Sequence, residues 1–169
     1  MNCFGQQLSV QELVSDTLKS QFLEQIFISD QEVRKRWEST NRNDTLAYKA
    51  IVREVLETDS SNYLKIREYL LQYNYPSKDS FSTTVSMTPW LVVHHSPYRS
   101  HHFEIYPFIQ QAFVKESISE EQYRMYAARS LSMFYKKQFR IFYRKKIPVL
   151  QKKMMKGYFN EKKRLSENR

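Results

Sequence analysis

The sequence predicts an all-α fold, and three observations carry that expectation. Only two glycines and five prolines occur in 169 residues, few for the tight turns of a sheet protein, whereas Leu, Lys, Glu, Gln, Arg and Met are plentiful. Apolar residues recur at three- and four-residue steps along much of the chain. Two capping boxes, Ser9-Val10-Gln11-Glu12 and Ser119-Glu120-Glu121-Gln122, open such periodic stretches. With 41% hydrophobic and 15% aromatic residues, the chain is long enough for one proper core and too short for two, so a single-domain bundle of about six or seven helices is expected.

Residues 1–8 read as a disordered N-terminal segment or the remnant of an export signal. The helical domain is expected over residues 9–146, and residues 147–169 as a basic C-terminal helix or extension. Val10, Leu13, Val14, Leu18, Phe22 and Ile26 give the first helix its apolar stripe, and it continues or restarts through Trp37, where Asp30 and Arg34, four apart, share a face. Asn41-Arg42-Asn43-Asp44 is a loop. A second helix follows from Leu46 to Leu56. Asp59-Ser60-Ser61-Asn62 then caps a third, with Tyr63, Ile66, Leu70 and Tyr73 on one face, and Asn74-Tyr75-Pro76 stops it, because Asn tolerates a positive φ and proline cannot prolong a helix.

Ser77 to Met87, rich in Ser and Thr, reads as a surface loop. It leads to the stretch on which the chain is centred, Thr88-Pro89-Trp90-Leu91-Val92-Val93-His94-His95. Thr88 is the expected cap, Pro89 suits the first helical position, and Pro97 ends the helix. Ser100 caps the next helix, which runs to about residue 116 and bends near Pro107. From the Ser119 box a long helix runs as far as Lys146, Pro148 breaks it, and a last helix covers Val149 to about Leu165.

Composition also excludes functions. Gly5 and Gly157 stand alone near the two ends, so no glycine-rich loop exists to cradle phosphates. Cys3 is the only cysteine, which rules out an internal disulfide. No apolar run is long enough to span a membrane. As it stands the chain is expected in the cytoplasm. The opening Asn2-Cys3-Phe4-Gly5-Gln6 looks like the end of an export signal, so a start upstream of Met1 would make the protein periplasmic or exported, with Cys3 available for lipid attachment.

All four histidines, His94, His95, His101 and His102, fall within nine positions. Two of them, His95 and His101, form the one arrangement that could offer a metal imidazoles from adjacent turns. No cysteine or carboxylate stands at a metal-site spacing beside them, so neither metal nor cofactor is expected. From Tyr135 to Arg169 there are 13 basic against 2 acidic residues, interleaved with Tyr135, Phe139, Phe142, Tyr143, Tyr158 and Phe159. Cations for phosphates and rings for stacking would suit nucleic acid, a membrane surface or an acidic partner. A helix that packs its aromatics on the core and turns its lysines to water has the same composition.

Taken in order, Asp30-Gln31-x-x-Arg34, Asp59-x-x-Asn62, Tyr73-Asn74-Tyr75-Pro76, Trp90-Leu91-Val92-Val93-His94-His95 and Tyr126-Ala127-Ala128-Arg129 resemble the motifs of a bacterial family called domain of unknown function 6624. Its pattern is Asp-Gln-x-x-Arg, Asp-x-x-Asn, Gly-Trp-Pro, an apolar helix ending in Gln-His, and Asp-Arg, and the resemblance covers about residues 10 to 138. Asn74 and Tyr75 replace the family's Gly-Trp, His94 its glutamine and Ala128 its aspartate, and a final Tyr-Gly-Thr-Gln is absent near Gln138. The resemblance implies one polar site but no established reaction.

Two functions follow as expectations. One is a binding or interaction module in which a buried polar set rigidifies a helical scaffold and the basic tail meets an acidic partner. The other is a hydrolase-like enzyme with His95 as general base, Asp30 or Asp59 orienting it, Arg34 or Arg129 holding an anionic group, and Gln31 and Asn62 donating hydrogen bonds.

Overall fold

The computed structural model describes residues 9–167, so the expectations for residues 1–8, Cys3 among them, lie outside it. Among the described residues there are seven α-helices and no strands. They are α1 (Asp16–Ser39), α2 (Thr45–Tyr73), α3 (Thr83–His95), α4 (Arg99–Val114), α5 (Glu120–Tyr135), α6 (Phe139–Tyr143) and α7 (Ile147–Glu167). The all-α bundle read from composition and periodicity is the fold observed.

The Ser9 capping box forms, but it closes only a 3-10 turn over Val10–Glu12. Helix α1 starts afresh at Asp16, with Ser15 accepting from the Leu18 N–H, and then runs unbroken through Asp30, Arg34 and Trp37. The Asn41–Asp44 turn reverses the chain, and Asp44 caps α2 by accepting from the Ala47 N–H.

Helix α2 corrects the expected break at Asp59, because it is one helix of 29 residues. Polar side chains that would end a helix elsewhere are engaged so that they do not compete with the backbone. The Ser60 hydroxyl donates to the Leu56 carbonyl at 2.8 Å, and the Asp59 carboxylate is taken by Arg34 from α1. Asn74 ends the helix at φ 63°, ψ −169°. The positive φ was legible in the sequence, but this ψ lies outside the left-handed helical well, in a region that glycine alone occupies freely. Asn74→Gly is therefore expected to stabilise the fold by about 1 kcal/mol, seen as a raised urea midpoint at unchanged slope.

Helix α3 begins at Thr83, with Ser82 as cap, and not at Thr88. Buried Val85 and Ser86 draw the Ser/Thr-rich segment into the core, and tertiary packing outweighs its loop-like composition. Thr88 is a helix-interior residue whose hydroxyl donates to the Thr84 carbonyl at 2.8 Å, and Pro89 lies within the helix. On one side α3 packs against α1 and α2, and on the other against α4 and α5. Placed between the two groups, it buries Trp90, Val92 and Val93, and the Trp90 indole N–H donates to the Gln122 carbonyl at 2.8 Å.

Tyr98, not Ser100, occupies the N-cap of α4, and Pro107 lies exposed inside that helix. The Ser119 capping box opens α5 as expected. That helix stops at Tyr135 rather than Lys146, because Lys136 turns left-handed (φ 51°, ψ 42°) and α6 folds back to bury Phe142 beside Tyr135, ring centroids 5.7 Å apart. Pro148 does not break a helix. It is the second residue of α7, within the first turn, where an N–H would go unpaired in any case.

Helix α7 packs along α4 and α5, burying Leu150, Met154 and Gly157. Tyr135, Phe142, Tyr143 and Tyr158 belong to the core or pack on it, while Phe139 and Phe159 remain exposed and most of the lysines face water. Gly157 lets α7 lie close against α4: a Cβ there would sit 2.5 and 2.7 Å from ring atoms of Phe103. That ring is itself fixed, 1% exposed and edge-on to Phe134. Gly157→Ala is expected to cost about 1–3 kcal/mol despite the gain in helix propensity, measurable as a lower melting temperature.

Candidate functional site

Helices α1, α2 and α3 each bring one or two polar residues to a common point in the bundle. Asp30 and Arg34 are one turn apart on α1, Asp59 and Asn62 three apart on α2, and His95 is the last residue of α3. Asp30, Asp59 and Asn62 are buried. The Arg34 side chain is 16% exposed and that of His95 22%, so the cluster is reached from solvent on their side.

The Arg34 guanidinium links the three helices. One terminal nitrogen bonds the Asp59 carboxylate and lies 3.6 Å from Asp30 Oδ1, while Nε is 3.0 Å from His95 Nδ1. The same Nδ1 is 3.0 and 3.1 Å from the two Asp30 oxygens. An imidazole nitrogen either donates or accepts, and here each role has a partner. Protonated Nδ1 donates to Asp30 and leaves Nε2 as the basic nitrogen; unprotonated Nδ1 accepts from Arg34 and leaves the proton on Nε2. Gln31 donates from Nε2 to Asp30 at 2.8 Å, which helps to fix the carboxylate.

Burial pushes the Asp59 carboxyl up to about 6, against the opposing pull of Arg34. Arg129, from α5, is close enough to Arg34 and Asp59 to feel both charges, and burial lowers its guanidinium from the ordinary value. Its Nε has no hydrogen-bond partner. Asn62 Nδ2 also has none. The sequence-predicted set of Asp30, Gln31, Arg34, Asp59, Asn62 and His95 thus lies on adjoining faces of α1, α2 and α3, and Arg129 stands within electrostatic range on α5.

His94, to which the sequence assigns no part in acid–base chemistry, borders the same cluster. It stacks on Trp90, centroids 5.1 Å apart, its Nδ1 is buried without a partner, and burial together with Arg129, His95 and Arg34 lowers it to about 4. Only its position, standing for the glutamine of the family pattern, could have signalled it.

The other two histidines work elsewhere. His101 bonds Ser96 Oγ at 2.8 Å and lies flat on the Tyr63 ring, 3.4 Å away. His102 is fully buried between the Ser96 carbonyl and the Ser130 hydroxyl, both at 3.0 Å. His95 and His101 therefore serve different neighbours. Among the described residues no three His, Cys, Asp or Glu side chains gather in a way that could hold a metal ion, and no helix is long and apolar enough to cross a membrane.

What the fold and site define is an all-helical domain with a polar, charge-balanced cluster at the junction of its helices. In comparisons with known proteins the chain matches no family model, no curated protein and no solved structure.

Proposed function

We propose that this helical domain binds a small ligand at the Asp30–Arg34–Asp59–His95 cluster and acts on it by general acid–base chemistry, as a hydrolase would. The observation that carries the reading is the contact of His95 with a buried carboxylate, Nδ1 lying 3.0 Å from Asp30 Oδ1. With Nδ1–H held by that carboxylate, Nε2 is the nitrogen that takes up a proton and later returns it, and the Asp30 charge offsets the imidazolium that forms in between. Stability does not call for it, since a buried ion-pair network is commonly no better than apolar packing.

Kinship with the family called domain of unknown function 6624 is part of the proposal. Asn74 supports it: it stands at the family's glycine and holds the positive φ that glycine adopts without strain. Ala128, fully buried, stands at the family's aspartate, so Asp59 on α2 is the carboxylate whose charge Arg129 feels.

The test is turnover of an ester, amide and phosphodiester panel by the purified chain, compared with His95→Gln. Turnover of one class, falling about 100- to 10,000-fold in the variant, is the expected result. No turnover of any substrate, with compounds that nevertheless raise the melting temperature, would return the protein to a binding module. A partner role for the basic surface rests on Lys152, Lys156 and Lys163, exposed with Phe159 along α7, and it would show as steep salt dependence of polyanion binding.

A further inference from the structure

Resting on that reading, we infer that the ligand of this site carries a compact, singly charged oxyanion, a carboxylate or a phosphodiester group, held by Arg129 and Asn62. Buried donors without acceptors are uncommon in folded proteins, and each costs about 1–3 kcal/mol. Here Arg129 Nε and Asn62 Nδ2 are two such donors, and Asn62 is only 2% exposed, so bulk water does not serve it in passing. The group that satisfies two N–H donors is one with acceptor oxygens only, which describes an oxyanion. A cation is unsuited, because these donors and the Arg129 charge repel it.

Charge limits the class further. Asp30 and Asp59 oppose Arg34 and Arg129, and His94 is kept neutral among them, so the cluster balances before any ligand arrives. One added negative charge is accommodated by a proton on Asp59, whose carboxyl already lies near 6 and would be raised further by an anion alongside. A dianion would face the Asp30 carboxylate with nothing left to offset it. Binding should therefore strengthen as pH falls from 8 to 6, the groups facing Asp59 being Arg34 and Asp30 from α1, His95 from α3 and Arg129 from α5.

The experiment is a titration of 15N-labelled protein, following the Arg129 Nε–H resonance assigned by its loss in Arg129→Lys, with sodium acetate, dimethyl phosphate and inorganic phosphate against sodium chloride at matched ionic strength. Saturable shifts with acetate or dimethyl phosphate are expected, the stronger of the two identifying the group, with inorganic phosphate weaker at pH 8. Asn62→Leu should weaken binding about tenfold or more while raising the melting temperature, because it removes an unpaired donor. Equal shifts with chloride, no saturation with any oxyanion, or a lower melting temperature for Asn62→Leu would each overturn the inference. His95→Gln separates the two proposals: oxyanion binding that survives it alongside a panel without turnover defeats the catalytic reading alone, and turnover without oxyanion binding defeats this one alone.

Discussion

Arg34→Met is expected to lower folding stability by about 3–5 kcal/mol at pH 7.5. The substitution keeps much of the side-chain length and removes the charge, so packing changes little. What remains is the Asp30 carboxylate at 1% exposure and that of Asp59 at 4%, both having lost the guanidinium that faced them. The penalty for an unpaired buried charge exceeds what the ion pair itself contributes. Asp59 supplies the check, for its carboxyl lies near 6 even with Arg34 present. In the variant it should be protonated at mildly acidic pH, and the loss should shrink between pH 7.5 and 5.5. Adding Asp59→Leu to Arg34→Met should recover much of it. Urea unfolding of the two variants at both pH values measures all three, and a loss independent of pH would mean that Arg34 matters as packing and not as counter-charge.

The second large effect is a collapse of stability in acid. Burial lowers His94 and His101 to about 4 and His102 to about 3, whereas unfolded imidazoles titrate near 6.5. Below 6.5 the unfolded chain gains protons at these three sites and the folded chain does not, so stability falls as pH falls. Asp59 acts in the opposite sense: raised in the folded state to about 6, it takes up a proton there before the unfolded chain does and offsets one of the three. With roughly two protons favouring the unfolded state, stability should decline by about 3 kcal/mol per pH unit between pH 6 and 5. His102→Asn should flatten that slope by about half, leaving roughly one net proton in place of two. Equilibrium unfolding at pH 7, 6 and 5 checks both the slope and its sign.

The fold class and the site were legible for different reasons. Helix followed from composition and periodicity, which are local. The pairing of Asp30 with Arg34 followed from helical spacing alone, and His95 from its place at the end of an apolar run. Helix boundaries were legible only where a cap acts locally, as at Ser119. They failed at Asp59 and Thr88, where the same polar residues that cap helices elsewhere are bonded to Arg34 or back to a carbonyl, something only the tertiary neighbours decide. The early stop of α5 was hidden for the same reason, since Lys136 carries no mark of a positive φ and the turn is imposed by burying Phe142. Which of four adjacent histidines meets a carboxylate depends on side-chain direction at the close of α3, and no spacing rule separates His94 from His95.

The unbroken α2 has a further consequence for motion. Asp59 stands at its midpoint, 14 residues from Thr45 and 14 from Tyr73, or about 21 Å from either end at the rise of an α-helix. Fraying is confined to the last turns, so the amides around Asp59 and Asn62 belong to the slowest-exchanging class in the protein, opening only when the whole domain does. A helix broken at Asp59, as the sequence suggested, would have put both side chains on a breathing terminus. The continuous one holds them still, and whatever enters the cluster meets donors whose positions are set before it arrives.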